Sequence, residues 1–336
     1  MNTFATEIVP LHDFGAWDTL VDAQAHGRVF VSRRWATVLE DVFGLQPYSA
    51  ACLEGGELIG GLFFTVRKRG LFRFCTPPPL SLYNSLLLAP ATAEPDAKER
   101  RKSIAKSCLL AVERFCHSVS VVVDPLPETF DVFRTHSWRM NIFDTLLIDV
   151  SDYERTRARY SRSLQQRIRR AEKHRLVFMP DGDPDVLLSL CCRSYERHGI
   201  APPIPASRLV RWVRALREAG LGRIYTATLS SGDPIAARFI AKDGTILYDC
   251  IAGADIPAHD VSASHWLVDA ILRRAAEEGF TTFDFLGVNT PGIADFKRAF
   301  GGEIKSYHHA TRVRSPLVRA FLAVKNATVK RIRGMP

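Results

Sequence analysis

Residues 282–302 read TFDFLGVNTPGIADFKRAFGG. The stretch parses as a buried strand around Phe283 and Phe285, then a Gly/Asn/Pro loop, then a short helix carrying Lys297 and Arg298, closed by Gly301-Gly302. Alternation along a strand sets Asp284 on the face opposite its two aromatic neighbours. An acid at a strand end, an irregular glycine-containing loop and cations on the next helix together make a candidate anion or phosphate site. Just upstream lies a helical stretch, AILRRAAEEG, and just downstream a possible strand, EIKSYHHATRV.

Working outward, 262–280 reads as a helix with Trp266, Ala270 and Ile271 on one face. Before it stand a hairpin over 224–244, turning at Ser231-Gly232-Asp233, and a third strand over 245–253. The first half shows the same order. A hairpin turns at Glu54-Gly55-Gly56; a Pro-rich loop, a helix over 97–118 and a buried strand SVSVVVD follow. Helix, hairpin, loop, helix and strand thus occur twice, at 48–124 and 225–287, which predicts two related α/β units with mixed sheets. Between the halves, Tyr160, Leu164, Ile168 and Ala171 form a narrow apolar stripe on a helix otherwise covered by arginines.

Charge is unevenly spread. The chain carries +9, with nine Lys/Arg against one acid in 155–175 and seven Lys/Arg with no acid in 311–336, so the remainder is acidic. Two basic segments on an acidic body suit a polyanion or an anionic membrane face. No apolar run reaches the length of a transmembrane helix, and the N-terminus lacks the basic-then-apolar order of a secretory signal. Seven irregularly spaced cysteines without a CxxC pair fit reduced thiols in a cytoplasmic protein and argue against zinc.

The segments SLQQRIRRAEKHRLVF, IYTATLSSGDPIAARFIAKDGTILYDCIAG, SASHWLVDAILRRAAEEGF and DFLGVNTPGIADFKRAFGGEIKSYH resemble the FemABX-type members of the GNAT acyltransferase superfamily. The N-terminal half resembles the family's first domain through WATVLEDVFG, LIGGLFF and PPLSLYNSLLL. The resemblance implies two tandem GNAT-like domains in a pseudo-symmetric arrangement facing one cleft: 1–150, 151–315 opening with the basic helix, and a basic amphipathic tail over 316–336. It implies an N-acyltransferase that carries an acyl or aminoacyl group from acyl-CoA or aminoacyl-tRNA to an amine of a small or cell-envelope-related acceptor, such as a glycan precursor. A non-catalytic binding module in envelope assembly is the reading of another class. One departure stands out: where GNAT enzymes carry a glycine-rich pyrophosphate loop, Ile256–His265 has no glycine.

Residue by residue, Asp284 and Tyr248 are the catalytic candidates. Lys297, Arg298, Asn289, Tyr83 and Asn84 are candidates for acceptor binding, Lys297 by its likeness to the family's phosphate-contacting lysine. The donor is expected along Ile251, Ala252 and Gly253 and at the helix start Ser262, Ser264 and His265, where helix N–H groups favour anions. No metal is implied. Arg155–Arg175 is the candidate contact for tRNA. The C-terminal basic helix is the candidate contact for the inner membrane face.

Overall fold

The computed structural model describes residues 4–320 apart from 24–27, 84–85, 90–95, 124–126, 137, 198, 200 and 256–260. Asn84 and most of the basic tail lie outside the described residues. Two compact units divide the chain. One runs up to Ile142 and resumes at Tyr307; the other is Phe143–Ser306.

In the first unit the strands are β1 (Ala5–Pro10), β2 (Gln46–Glu54), β3 (Glu57–Arg69), β4 (Phe72–Cys75), β5 (Leu86–Leu88) and β6 (Ser118–Val123). β2 and β3 form a hairpin whose two turn residues, Gly55 (φ 57°) and Gly56 (φ 90°), both have positive φ. A two-residue turn of that hand matches the twist of its strands, and glycine reaches it without a Cβ clash. The helix Arg33–Phe43 starts at Ser32, whose hydroxyl accepts from the Trp35 N–H. Helix Ala97–Phe115 buries Ile104, Ala105, Cys108, Leu109 and Val112 against the sheet, following its 3.6-residue period.

The second unit contains most of β7 (Arg139–Asp149), then β8 (Val177–Pro180), β9 (Gly222–Thr228), β10 (Pro234–Asp243), β11 (Ile246–Ala254), β12 (Thr282–Asp284) and the start of β13 (Glu303–Val313). Its strand order is β8-β9-β10-β11-β12-β7. The first unit's order is β1-β2-β3-β4-β6-β13, the last pairing through His308–Val313. Pairing senses correspond as well. Three antiparallel contacts come first, then one parallel contact (β4 with β6; β11 with β12), then one antiparallel contact. The repeated pattern in the sequence is therefore a repeated topology.

On one face of the second unit's sheet, helices Arg162–Glu172 and Ala263–Glu277 cover Ile240, Leu247 and Phe283. Opposite, helix Ala206–Glu218 sets Trp212 edge-on to Phe239, ring centroids 5.4 Å apart. The arginine-rich segment forms two helices, not one. Tyr153–Ala158 and Arg162–Glu172 are separated at Ser161, whose hydroxyl caps the second helix at the Leu164 N–H. A serine accepting that bond is favoured at a helix start over a continuous helix. All four stripe residues are buried.

Candidate active site

β11 and β12 run parallel for three residue pairs only, ending at Tyr248↔Asp284. β11 then continues to Ala254 alongside β10, while the β12 chain turns away at Phe285. The sheet forks there. One bulge sharpens the fork: Ile240 faces Asp249 but Phe239 faces Ile251, leaving Cys250 as the extra residue. Past the bulge, Ala254 turns its N–H and C=O to the Ser194 hydroxyl at 3.0 and 2.9 Å, while the Asp255 N–H bonds Ile235. An antiparallel ladder alternates, so the N–H and C=O of Ala252, two residues back, also face away from β10. Gly253 lets helix Pro184–Arg197 approach: a Cβ there would lie 2.4 Å from the Cys191 nitrogen.

The loop after β12 is held by its own polar groups. Leu286 has φ 50° and Gly287 φ 99°. Asp284 Oδ1 accepts from Thr145 Oγ1 at 2.5 Å and from the Leu286 N–H at 2.8 Å, and Thr145 in turn accepts from the Gly287 N–H at 3.0 Å. Lys297 Nζ donates to the carbonyls of Phe285 (2.6 Å) and Gly287 (2.7 Å). Asn289 grips Asp144, accepting from its N–H at 2.9 Å and donating to its C=O at 3.0 Å. A non-glycine residue at positive φ is costly and persists only where its surroundings over-determine it. Asp284, Asn289 and Lys297 supply that determination. Burial pushes the Lys297 ammonium below its ordinary pKa; nearby Asp249 opposes this, and Arg238 adds to it.

Beside the loop lies a pair absent from the candidates named above. Arg238 on β10 and Asp249 on β11 form an ion pair at 6% and 7% exposure. The guanidinium sits over the Phe296 ring at 5.3 Å, and Arg238 bonds only Oδ2 of the aspartate. Asp249 Oδ1 is buried without a hydrogen-bond partner. The signal for both residues was a charge inside an otherwise apolar strand, PIAARFIAK and TILYDCIAG. Thr145 carried no such signal.

The structure brings Tyr248, Asp284, Lys297 and Asn289 to the fork and its loop. Alternation turns Tyr248, which is fully buried, to the face opposite Asp249. Arg298 is exposed in the last turn of its helix. Ile251 and Ala252 follow the bulge. At the helix start, Ser262 is buried at φ 58° and caps with its carbonyl, not its hydroxyl, through the N–H groups of His265 and Trp266. Ser264 is half-buried. His265 joins an aromatic group, 4.6 Å from Phe296 and 6.4 Å from Phe300. Tyr83 belongs to the first unit, buried edge-on to Phe30 and Tyr307. A concavity of about 460 Å³ lined by Asp181, Arg217 and Lys242 lies at the opposite end of β10 and includes none of the fork residues.

The basic segment is anchored from beneath. Tyr153 donates to the buried carboxylate of Asp269 at 2.8 Å and accepts from Arg273 at 3.2 Å. Burial raises the Tyr153 hydroxyl to about 12 and raises the Asp269 carboxyl as well. Above this anchor, Arg155, Arg159, Arg162, Arg167, Arg169 and Arg170 are exposed; hydrogen bonds from Ser151, and then Arg155 and Arg159, hold the Asp149 carboxyl below its ordinary pKa. Among the described residues, no helix is long and apolar enough to cross a membrane.

Residues 157–298 match the acetyltransferase (GNAT) domain family. No curated protein matches the chain in sequence. Among solved structures, FemX is similar at 13% identity over 90% of this chain and 96% of its own, TM-score 0.69. The C-terminal domain of a putative lysylphosphatidylglycerol synthetase from Agrobacterium fabrum is similar at 13% identity over 96% and 98%, TM-score 0.57. A tandem GNAT protein from the clavulanic acid biosynthesis pathway is similar at 14% identity over 93% and 99%, TM-score 0.53.

Proposed function

We propose that this protein, an acyltransferase with a FemABX-like, GNAT-type fold, transfers an acyl or aminoacyl group to a primary amine on a cell-envelope-related acceptor. The observation that carries the reading is the fork. Three parallel pairs bring β11 and β12 together; six further residues of β11 then run on with one edge turned away from β10. An extended donor arm fits that edge by adding backbone hydrogen bonds as another strand would.

In this reading the donor carbonyl lies near Ala252, whose N–H stabilises the oxygen as negative charge develops there. A fixed dipole in a water-poor site does this without reorganising. The amine nitrogen bonds to the acyl carbon, the donor's C–S or C–O bond breaks, and the proton lost by nitrogen finishes on the leaving thiolate or alkoxide. Alignment supplies much of the rate, so a dedicated acid–base side chain is not required. Asp284 and Lys297 keep the loop in register at the reacting end. Lys297 retains one of its three donors, and Arg298 is exposed beside it; the two take the acceptor's phosphate. Ser262, Ser264 and His265 border the donor's far end.

A second reading of the donor has its own support. The exposed arginines of 155–170 suit an RNA backbone, which makes aminoacyl-tRNA the alternative to acyl-CoA. Titrating the full chain with CoA and with uncharged tRNA at two salt concentrations separates them. Saturable binding of CoA that changes little with salt selects the thioester, and steeply salt-dependent tRNA binding selects the other. If neither binds, and no donor is consumed against a panel of amines followed by mass spectrometry, the chain is a non-catalytic binding module.

A further inference from the structure

We propose that Asp249 recognises the acceptor's amine, its free oxygen Oδ1 taking an N–H of the incoming nitrogen at the fork. The proposal rests on the acyl-transfer reading and names a recognition residue that reading lacks. Asp249 is the first residue of β11 beyond the last parallel pair, so it stands where the two strands part. Its Oδ2 is held by Arg238, and its Oδ1 is buried with no partner.

A carboxylate offers about four acceptor sites, and a buried polar group left without a partner is costly, the more so when charged. Folded proteins rarely keep such a group without a use. No neighbour relieves it. Lys297, which interacts electrostatically with Asp249, directs its ammonium to the carbonyls of Phe285 and Gly287. Asp284 is likewise committed, to Thr145 and the Leu286 N–H.

The surroundings also select the form of the ligand. Arg238 and Lys297 are two cations beside Asp249, and burial lowers the Lys297 pKa below its ordinary value. The same burial acts on any amine that enters and disfavours ammonium; Arg238 and Lys297 add to this, while the carboxylates of Asp249 and Asp284 oppose it. A neutral amine is the nucleophilic form. It keeps N–H donors for Asp249 while its lone pair points elsewhere. Asp249 orients the nitrogen; the proton finishes on the leaving group. The substrate class is a compact primary amine, not a quaternary ammonium, which has no N–H to donate.

Glu113 in the first unit provides an internal control. Its Oε2 is also without a partner, but its arginine, Arg312, is 28% exposed, within reach of water. It lies near the end of its helix in the first unit.

The test compares n-butylamine with methyl propyl ether, similar in size but without a donor hydrogen, on the full chain by NMR titration. Wild type is expected to prefer the amine by about tenfold or more, the size of one hydrogen bond to a charged acceptor. Asp249→Asn places an amide N–H where the acceptor oxygen was, and the preference should vanish. Glu113→Gln should retain it. A folded Asp249→Asn that keeps the preference, or a wild type that shows none, overturns the proposal and leaves Asp249 a structural ion-pair partner only. If Asp249→Asn does not fold, the double variant Arg238→Met/Asp249→Leu removes the pair with apolar groups of similar size; amine preference surviving in it is equally decisive against. Donor binding is read separately. A chain that binds CoA or tRNA but ignores Asp249 loses this inference alone, whereas one that selects amines through Asp249 yet consumes no donor loses the acyl-transfer reading.

Discussion

In the first unit, β4 and β6 run parallel for two pairs, Phe74↔Ser118 and Cys75↔Val119, and Cys75 and Val119 are buried in that unit's apolar core. There the strand beside β3 stops at Cys75. After an intervening loop, β5 takes over the same edge through Leu86–Leu88. The edge is filled with leucine. In the second unit the equivalent strand, β11, is nine residues long, carries a bulge and continues past its parallel neighbour. That fork holds Arg238, Asp249, Asp284 and Lys297. Two copies of one strand order thus differ in whether the parallel fork is closed with side chains or left with charge and backbone. Burying charge is unfavourable unless it is paired, so the second unit sacrifices stability there and the first does not. The matched domain family covers the second copy.

The largest effect should come from the buried pair. Arg238→Met strands Asp249 as an unpaired buried charge, and urea unfolding should show a loss of about 3–5 kcal/mol. Arg312→Met, at the half-exposed pair of the first unit, should lose about 1 kcal/mol. The double change Arg238→Met/Asp249→Leu should recover most of the first loss. Equal losses at the two arginines would erase the contrast between the units.

Next in size is Gly253→Ala. Its new Cβ meets the backbone of Leu190 and Cys191, at 2.6 and 2.4 Å, which can yield only by moving a helix. A loss of about 2–3 kcal/mol is expected. Gly60→Ala in the first unit meets a methyl of Ile104 at 2.6 Å and should lose less, since a side chain repacks more readily. Thermal unfolding of the two variants side by side gives the ordering; a larger loss at Gly60 would reverse it.

Lys297→Met removes two donors from strained loop carbonyls and should cost roughly 1–3 kcal/mol. Its pH signature is more specific. The folded-state pKa lies below the ordinary 10.5, so between those two values the unfolded chain binds the extra proton, and stability rises with pH. In Lys297→Met that rise should be gone from unfolding measured across the alkaline range. An unchanged slope would mean the ammonium is not buried.

Smallest is Asp269→Asn. The amide oxygen still accepts from Tyr153, so the basic segment stays anchored. Burial raises the folded pKa of Asp269 above 3.8; its contribution is therefore fully present below 3.8 and is lost as pH rises through the folded value. The variant should match or slightly exceed wild type in melting temperature at neutral pH and lose that advantage in acid. A marked loss at neutral pH would show that the carboxylate charge itself holds the arginine helices.

Much of the fold could be read from local chemistry. Both hairpin turns announced themselves through glycine, and helix Ala263–Glu277 through its apolar period. The stripe Tyr160, Leu164, Ile168 and Ala171 identified a buried face correctly, although the same periodicity hid the break at Ser161. A capping hydroxyl interrupts a helix without disturbing the apolar spacing. β7 and β8 passed unnoticed, since β7 is only partly buried and β8 is four residues long, so neither alternates strongly. Asp284 and Lys297 stood out because loop chemistry and charge coincide in one short stretch.

Residue types and spacing were enough for two repeated α/β units, for a basic segment with a buried stripe, and for a charged loop at 282–302. Each is a local property, carried by turn residues, helical period or charge density. Tertiary structure decided what those charges do. It turned Lys297 onto two carbonyls of its own loop, locked Asp284 to a threonine 139 residues away, and brought Arg238 to one oxygen of Asp249 while leaving the other open. Hydrogen bonds between distant strands depend on register, and a single bulge at Cys250 sets which side chains meet. No local pattern encodes that register, so the fork's chemistry became visible only once the strands were paired.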